Sequence, residues 1–174
     1  LIARYTSPEK SAQAFEDVQR FWSRFIDGER VETPDDALNF MTNYWMKYQA
    51  ISCRLWGKSA LYQVSAGYGF RDQLQDSQIF LVGEPDYARR QLLMHAAQQF
   101  IEGDVLHWWF SIRGGGPRTN CSDDLLWMPF ILSAYLDETA DESVLDEQVP
   151  YLNAPAESVY EHCKRALERS FSRF

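Results

Sequence analysis

The chain has 174 residues, of which 45% are hydrophobic and 15% aromatic, and its formal net charge is -8 at pH 7. A chain of this length forms about one domain with a real core, and its aromatic content excludes a disordered segment. The negative charge argues against a nucleic acid or an anionic membrane as partner, because the chain would repel either one. A neutral polar ligand, or an anion held by a local cluster of donors, fits better.

The cysteines and the chain ends suggest a setting for the protein. Cys53, Cys121 and Cys163 are odd in number and lack metal-ligand spacing, so we predict no metal site and a reduced, cytoplasmic setting. No stretch approaches the roughly 20 uninterrupted apolar residues of a membrane span, and the first ten residues lack the apolar core of a signal peptide. Because the chain begins without Met and ends inside a helical pattern, we expect a piece of a longer protein.

Helix start signals organise the first third of the chain. Ser7 and Pro8 are an N-cap and a first-turn proline, and they predict a helix that ends near Asp27. Residues 33–36, with the sequence Thr-Pro-Asp-Asp, repeat the signal for a second helix.

Four further helices are predicted after a glycine-containing stretch at residues 57–69. The third begins near Arg71 or Asp72, and the fourth follows Pro85 and ends near Gly103. After a short extended segment and a glycine loop, Ser122 is expected to cap a fifth helix that is apolar enough to be buried from several sides. A sixth begins near residue 158. The pattern predicts an all-α fold of about six helices in hairpins, and it fits the inner and outer helices of a toroid.

The segment FRDQLQD, residues 70–76, holds the densest polar cluster. It places Asp72 and Asp76 one turn apart on a helix face, with Arg71 and Gln75 nearby. Carboxylates and guanidinium groups suit sugar hydroxyls, which both donate and accept hydrogen bonds. The alternative is ordinary helix chemistry, in which the acids complement the helix dipole and pair with Arg71. A glycosidase acid–base pair is a weaker alternative, since two groups on one helix seldom straddle a substrate.

Two later segments admit two interpretations each. His107 precedes Trp108 and Trp109, a group that would stack on pyranose rings or form a core cluster around one hydrogen-bonded histidine. Residues 113–119, RGGGPRT, could hold a phosphate through backbone N–H groups and arginines, or serve as a flexible connector. They lack the GKS or GKT ending of a P-loop. The few His and Cys residues give no order typical of a nucleophilic hydrolase.

Four segments taken together resemble glycoside hydrolase family 94, the inverting glycoside phosphorylases. They are RLWGKSALYQ (54–63), GYGFRDQLQD (67–76), QQFIEGDVLHWWF (98–110) and RTNCSDDLLWMPF (118–130). Within the family, the wording is most similar to the C-terminal phosphorylase-like domain of cyclic β-1,2-glucan synthases. The resemblance implies that residues 1–174 are a single partial domain, the N-terminal half of an (α/α)6 catalytic barrel.

The resemblance also implies which residues bind substrate. Arg71 and Asp76 would hold hydroxyls of the sugar in the donor subsite, with Asp72 and Gln75 orienting them. Other candidate substrate-binding residues in the same cleft are Arg118, Thr119, Asp123, Asp124, His107 and Trp108. Three departures from the family pattern, at Lys58, at residues 64–67 and at Phe110, concern phosphate or acceptor binding and leave the fold unaffected.

The chemistry that the resemblance implies needs one catalytic acid. The ending at residues 160–174 resembles the helix before the family's GDWND segment, whose aspartate is the general acid, so we expect that acid beyond Phe174 and no turnover by the chain alone. Inorganic phosphate would be the co-substrate, without a cofactor. The partners would be a β-glucan or β-glucoside and the rest of the barrel, and a homodimer is left open. A cyclic glucan synthase parent would be attached to the bacterial inner membrane.

Two alternatives from other classes remain open at this point. An inverting hydrolase on the same barrel would need a group that activates water, which a phosphorylase does not. A non-catalytic helical domain would bind carbohydrate without turnover.

Overall fold

The computed structural model describes residues 2–56, 67–110 and 112–173. Within those ranges the chain is mainly helical, with eight α-helical segments and two small antiparallel sheets. It divides into two compact units, residues 1–47 and residues 48–174. The all-α prediction is confirmed.

The first unit consists of helices and of one loop that side chains hold by hydrogen bonds. The helices are α1 (Ile2–Tyr5), α2 (Pro8–Ile26), α3 (Asp36–Phe40) and a π-helical turn, Met41–Trp45. This turn continues into α4 (Met46–Tyr48), whose last residue is the first of the second unit. Ser7 caps α2 as predicted, since its side chain accepts a hydrogen bond from the Lys10 N–H. Asp35 caps α3 by accepting from two backbone N–H groups. The start of α2 is therefore as predicted, whereas α3 is capped by Asp35 and begins two residues later than the pattern at residues 33–36 predicts.

The loop between α2 and α3 is held by two side chains of the following helical run. The Asn43 amide accepts from the Val31 N–H and donates to the Val31 carbonyl, each at 2.8 Å. Lys47 Nζ donates to the Ile26 and Glu29 carbonyls. Partial burial lowers the pKa of the Lys47 ammonium. Several polar backbone groups of this region are therefore paired by side chains of the same unit.

The second unit contains the remaining helices, turns and strands. They are a π-helix (Gln49–Trp56), β1 (Gly67–Gly69), α5 (Phe70–Ser77), a 3₁₀ turn (Gln78–Phe80), α6 (Pro85–Ala96), β2 (Trp108–Phe110), a second 3₁₀ turn (Asp124–Leu126), α7 (Trp127–Thr139), a third (Glu142–Asp146), β3 (Gln148–Pro150), β4 (Ala156–Ser158) and α8 (Val159–Arg173). No helix in the described ranges combines the length and apolar character needed to cross a bilayer.

Apolar side chains of four helices form the core of this unit. Fully buried members come from α5, α6, α7 and α8, and include Phe70, Leu74, Leu92, Ala96, Met128, Ile131, Val159 and Ala166. β1 pairs with β2 in antiparallel register, with Tyr68 opposite Trp109. The sheet sits at the start of α5, so it fixes where that helix begins.

Two boundary predictions are wrong. α6 ends at Ala96 instead of near Gly103, because the chain reverses there and buried Gln99 donates to the Gly103 and His162 carbonyls. Ser122 does not cap the fifth helix, since a 3₁₀ turn precedes α7. The fifth helix, expected to be buried from several sides, buries Met128, Ile131, Leu132 and Tyr135 and leaves Phe130 57% exposed.

Candidate functional site

The first polar segment and the tryptophan segment are brought together by one sheet and one hydrogen bond. β1 pairs with β2, and the Phe70 N–H at the start of α5 donates to the His107 carbonyl at 3.0 Å. The first turn of α5 therefore lies beside His107. Phe70 and His107, which are 37 positions apart in the chain, are therefore neighbours.

Asp72 and Asp76 share one guanidinium group. Arg54 Nε donates to Asp76 Oδ2 at 2.6 Å, and Arg54 Nη2 donates to Asp72 Oδ1 at 3.3 Å. The Asp76 pKa is raised, because burial outweighs the opposing effect of Arg54. The hydrogen bond to Asp76 raises the pKa of Arg54 in turn. A half-buried pair of acids held by one cation is thus the polar centre of α5.

Arg71 does not pair with these acids, so the helix-chemistry interpretation of its role is wrong. Arg71 Nη1 donates to Asp123 Oδ2 at 3.0 Å, and the Trp127 indole N–H donates to the same oxygen at 3.4 Å. The hydrogen bond from Arg71 holds the pKa of Asp123 below its usual value. Arg71 and Asp123 are 52 positions apart in the chain. They meet because α5 packs against α7.

An open cavity adjoins the Arg71–Asp123 pair. Its volume is about 290 Å³, and Asp123, Leu126, Trp127 and Phe130 line it. The rings of Trp127 and Phe130 meet edge to face, with centroids 5.5 Å apart. Aromatic faces beside a charged pair offer both apolar contact and hydrogen bonds to one ligand.

A second polar cluster surrounds Asp124. Its Oδ2 lies 2.7 Å from His107 Nδ1 and accepts from the Thr119 hydroxyl at 2.5 Å. Thr119 Oγ1 in turn accepts from the Cys121 N–H. The Asp124 side chain is 1% exposed, whereas that of His107 is 44% exposed. The carboxylate is therefore held by Thr119 and shielded from solvent, whereas the imidazole that contacts it is partly exposed.

The two tryptophans of this segment differ: Trp109 belongs to the core, and Trp108 is open to a ligand. Trp109 is a core residue, buried and in ring contact with Phe70 and His95. Trp108 is half-buried, and the centre of its ring lies 5.0 Å from that of Phe110. Trp108 and His107 are thus the members of this segment that a ligand could reach.

The glycine loop does not bring its arginines to an open anion site. Arg118 donates to both oxygens of Asp104 and to Glu102, which raises the pKa of its guanidinium, and it lies over the Phe100 ring. Arg113 lies 3.7 Å above the centre of the Phe110 ring. Arg118 is therefore already neutralised by two acids, while its neighbour Thr119 belongs to the Asp124 cluster.

Some predicted site residues do not join these clusters, and two residues of the clusters were not predicted. Gln75 is exposed on α5, and Lys58 and residues 64–66 lie outside the described residues. Arg54 was not predicted as a site residue, although it stands in the RLW segment and forms the centre of the acid pair. Cys121 was also missed, because its spacing to His107 matches no ligand motif.

The sequence of this helical chain matches a known protein family. The family described as "Glycosyl hydrolase 94 superfamily, catalytic domain" matches residues 21–174. The chain belongs to this family, and its mainly helical structure is consistent with part of the family's all-α toroid.

Individual relatives agree with the family assignment. The cyclic β-(1,2)-glucan synthase NdvB of Rhizobium meliloti (strain 1021) is 43% identical over 92% of this chain and 6% of its own length. The solabiose phosphorylase of Paenibacillus borealis is 34% identical over 80% of this chain and 17% of its own. The N,N'-diacetylchitobiose phosphorylase of Vibrio proteolyticus is 29% identical over 90% of this chain and 23% of its own. The chain thus spans less than a quarter of each of these three relatives.

Proposed function

We propose that the protein containing this chain is an inverting glycoside phosphorylase, or the phosphorylase-like part of a glucan synthase, that acts on β-glucosides. It transfers a glucosyl unit from a β-glucan or β-glucoside to inorganic phosphate and releases α-glucose 1-phosphate. Membership of the family and the phosphorylases among the relatives support the reaction class. The similarity to a β-1,2-glucan synthase supports a glucan substrate.

The observation that carries the proposal is the Arg71–Asp123 pair at the edge of the aromatic cavity. The pair offers guanidinium donors and carboxylate acceptors to adjacent hydroxyls, and Trp127 in the cavity wall offers an apolar face to a pyranose ring. Asp76, held by Arg54, supplies a second acceptor on the same helix as Arg71. Such an arrangement suits a neutral sugar.

The reaction makes few demands on these residues beyond binding. Phosphate is an anionic nucleophile already, so no side chain has to deprotonate water, and one protonated carboxyl serves the leaving oxygen. We assign that acid to a segment outside residues 1–174, as the resemblance implies. Arg71, Asp76 and their partners then hold the donor sugar while phosphate attacks the opposite face of the anomeric carbon.

A substitution at Asp76 tests the donor-site assignment. In the full-length protein, Asp76→Asn keeps the size of the side chain but removes an acceptor and the charge opposite Arg54. We expect kcat/KM for phosphate-dependent release of α-glucose 1-phosphate to fall about 10- to 100-fold, which is the effect of losing a charge-assisted hydrogen bond.

The matched control is Asp86→Asn, at an exposed aspartate in the first turn of α6. This variant should turn over like the unmodified protein. Equal kcat/KM values for both variants would contradict the role of Asp76. An unmodified protein that turns over equally fast without phosphate would contradict the reaction class.

A further inference from the structure

A group of three potential metal ligands lies around the buried carboxylate of Asp124. His107, Cys121 and Asp124 each offer one ligand atom, and these atoms all lie within 4.8 Å of one another. Tetrahedral zinc, with bonds of roughly 2.0 to 2.3 Å, places its ligand atoms about 3.3 to 3.8 Å apart. Small rotations of the half-exposed His107 and Cys121 side chains can bring the three atoms to that spacing.

The Asp124 carboxylate has one oxygen that could bind a cation. Its Oδ1 is buried and has no hydrogen-bond partner among the described residues, although the side chain is only 1% exposed. A buried carboxylate oxygen without a partner is costly, and a cation would satisfy it. This atom is independent of the His107 and Thr119 contacts, since both of those are made by Oδ2.

A second layer of contacts already orients two of the ligands. The Thr119 hydroxyl donates to Asp124 Oδ2 and accepts from the Cys121 N–H at 3.0 Å. One threonine thereby ties the backbone of Cys121 to the carboxylate. Outer partners of this kind fix ligand geometry in metal sites.

We propose that His107, Cys121 and Asp124 form a binding site for a divalent cation of the zinc type, with one coordination position left open. Thiolate and imidazole ligands favour such a borderline-soft ion over Mg²⁺ or Ca²⁺, which prefer oxygen ligands. On binding, the Cys121 thiol loses its proton to solvent and its sulfur bonds the metal. His107 is 44% exposed, so the ion has a path from solvent. The inference does not depend on the proposed phosphorylase activity.

Cobalt titration of the full-length protein tests the site, because Co²⁺ bound by a thiolate gives a near-ultraviolet charge-transfer band and visible bands of tetrahedral form. We expect the unmodified protein to show these bands, and Zn²⁺ to displace them. Cys121→Ser should remove the charge-transfer band and weaken Zn²⁺ binding, measured by calorimetry, by about 100-fold or more.

The control is Cys53→Ser, at the other half-exposed cysteine, which should keep the band and the affinity. Asp124→Asn should weaken Zn²⁺ binding as well, provided that its circular dichroism shows a folded protein. Because Cys121 is half-exposed, its serine variant tests the site even if the Asp124 variant fails to fold. A cobalt spectrum without a thiolate band, or one that Cys121→Ser leaves unchanged, would overturn the proposal.

Discussion

At the scale of single residues, the charged side chains of α5 are matched with partners from other elements. Asp72 and Asp76 take Arg54 from the preceding π-helix, whereas Arg71 takes Asp123 from the turn before α7. Each pair sets a carboxylate beside a guanidinium, and the paired side chains stay partly exposed, so a polar ligand can reach them. The proposed sugar site therefore depends on residues that lie 22 and 52 positions apart in the chain.

Replacing Arg54 tests whether this residue positions Asp76. Arg54→Gln removes the charge that opposes the effect of burial on Asp76, so the pKa of that carboxyl should rise further. The acidic limb of the kcat/KM profile should then move to higher pH by about one unit or more. Arg90→Gln, at an exposed arginine of α6, is the control. Superimposable pH profiles for the two variants would show that Arg54 has no such role.

A buried histidine predicts how stability depends on pH. Burial lowers the pKa of His95 from 6.5 to about 4, and its Nδ1 is bonded to the Gln91 carbonyl. The unfolded chain binds the proton more readily, so stability is full above pH 6.5 and falls as the pH drops towards 4. The loss attributable to this group is about 3 kcal/mol.

His95→Met should reduce that loss. Denaturant unfolding at several pH values between 7 and 4 measures it, with the difference in slope between the two proteins isolating His95 from other titrating groups. Identical slopes would mean that His95 is not the buried, neutral group described above.

At the scale of elements, the glycine loop at residues 112–117 folds back onto β2. The Phe110 N–H donates to the Gly115 carbonyl, and the His107 N–H donates to the Pro117 carbonyl. A side chain at Gly116 would place its Cβ 1.8 Å from the Trp108 carbonyl oxygen. Glycine is required here because the loop backbone lies directly against the strand.

A glycine substitution therefore tests this contact. Gly116→Ala should lower the melting temperature, at a cost of about 1 to 3 kcal/mol, and displace β2 together with His107. Gly83→Ala is a matched control, since a Cβ at that position meets nothing within 4 Å. Thermal unfolding followed by circular dichroism compares the two, and an equal effect would contradict the close approach at Gly116.

The ends of helices could be predicted from the sequence only where contacts within one turn determine them. The starts of α2 and α6 could be predicted, because Ser7 and Pro85 act through contacts within one turn. The end of α6 could not, since it depends on Gln99 bonding to residues near and far along the chain. The Asp72–Asp76 face was predicted from helical spacing, but Arg54 and Cys121 join the site only through tertiary packing, which leaves no local pattern.

At the scale of the whole molecule, large apolar side chains remain exposed in both units. Among them are Phe15 at 64%, Ile112 at 93% and Phe130 at 57%. Exposed apolar groups of this size favour contacts with other protein surfaces.

We therefore predict that the isolated polypeptide of residues 1–174 self-associates and, because we assign the general acid to another segment, has no turnover. Size-exclusion chromatography with light scattering, together with a phosphorolysis assay, measures both properties. A monodisperse monomer with a cooperative melting transition would contradict the first expectation, and measurable sugar phosphate release would contradict the second.

The most direct measurement is product analysis with the full-length protein and a β-glucan, with and without inorganic phosphate, by phosphorus and proton NMR. A phosphorylase that uses this site should form α-glucose 1-phosphate only when phosphate is present. Release of free glucose at the same rate without phosphate would identify a hydrolase instead, and glucan binding without any product would identify a non-catalytic domain.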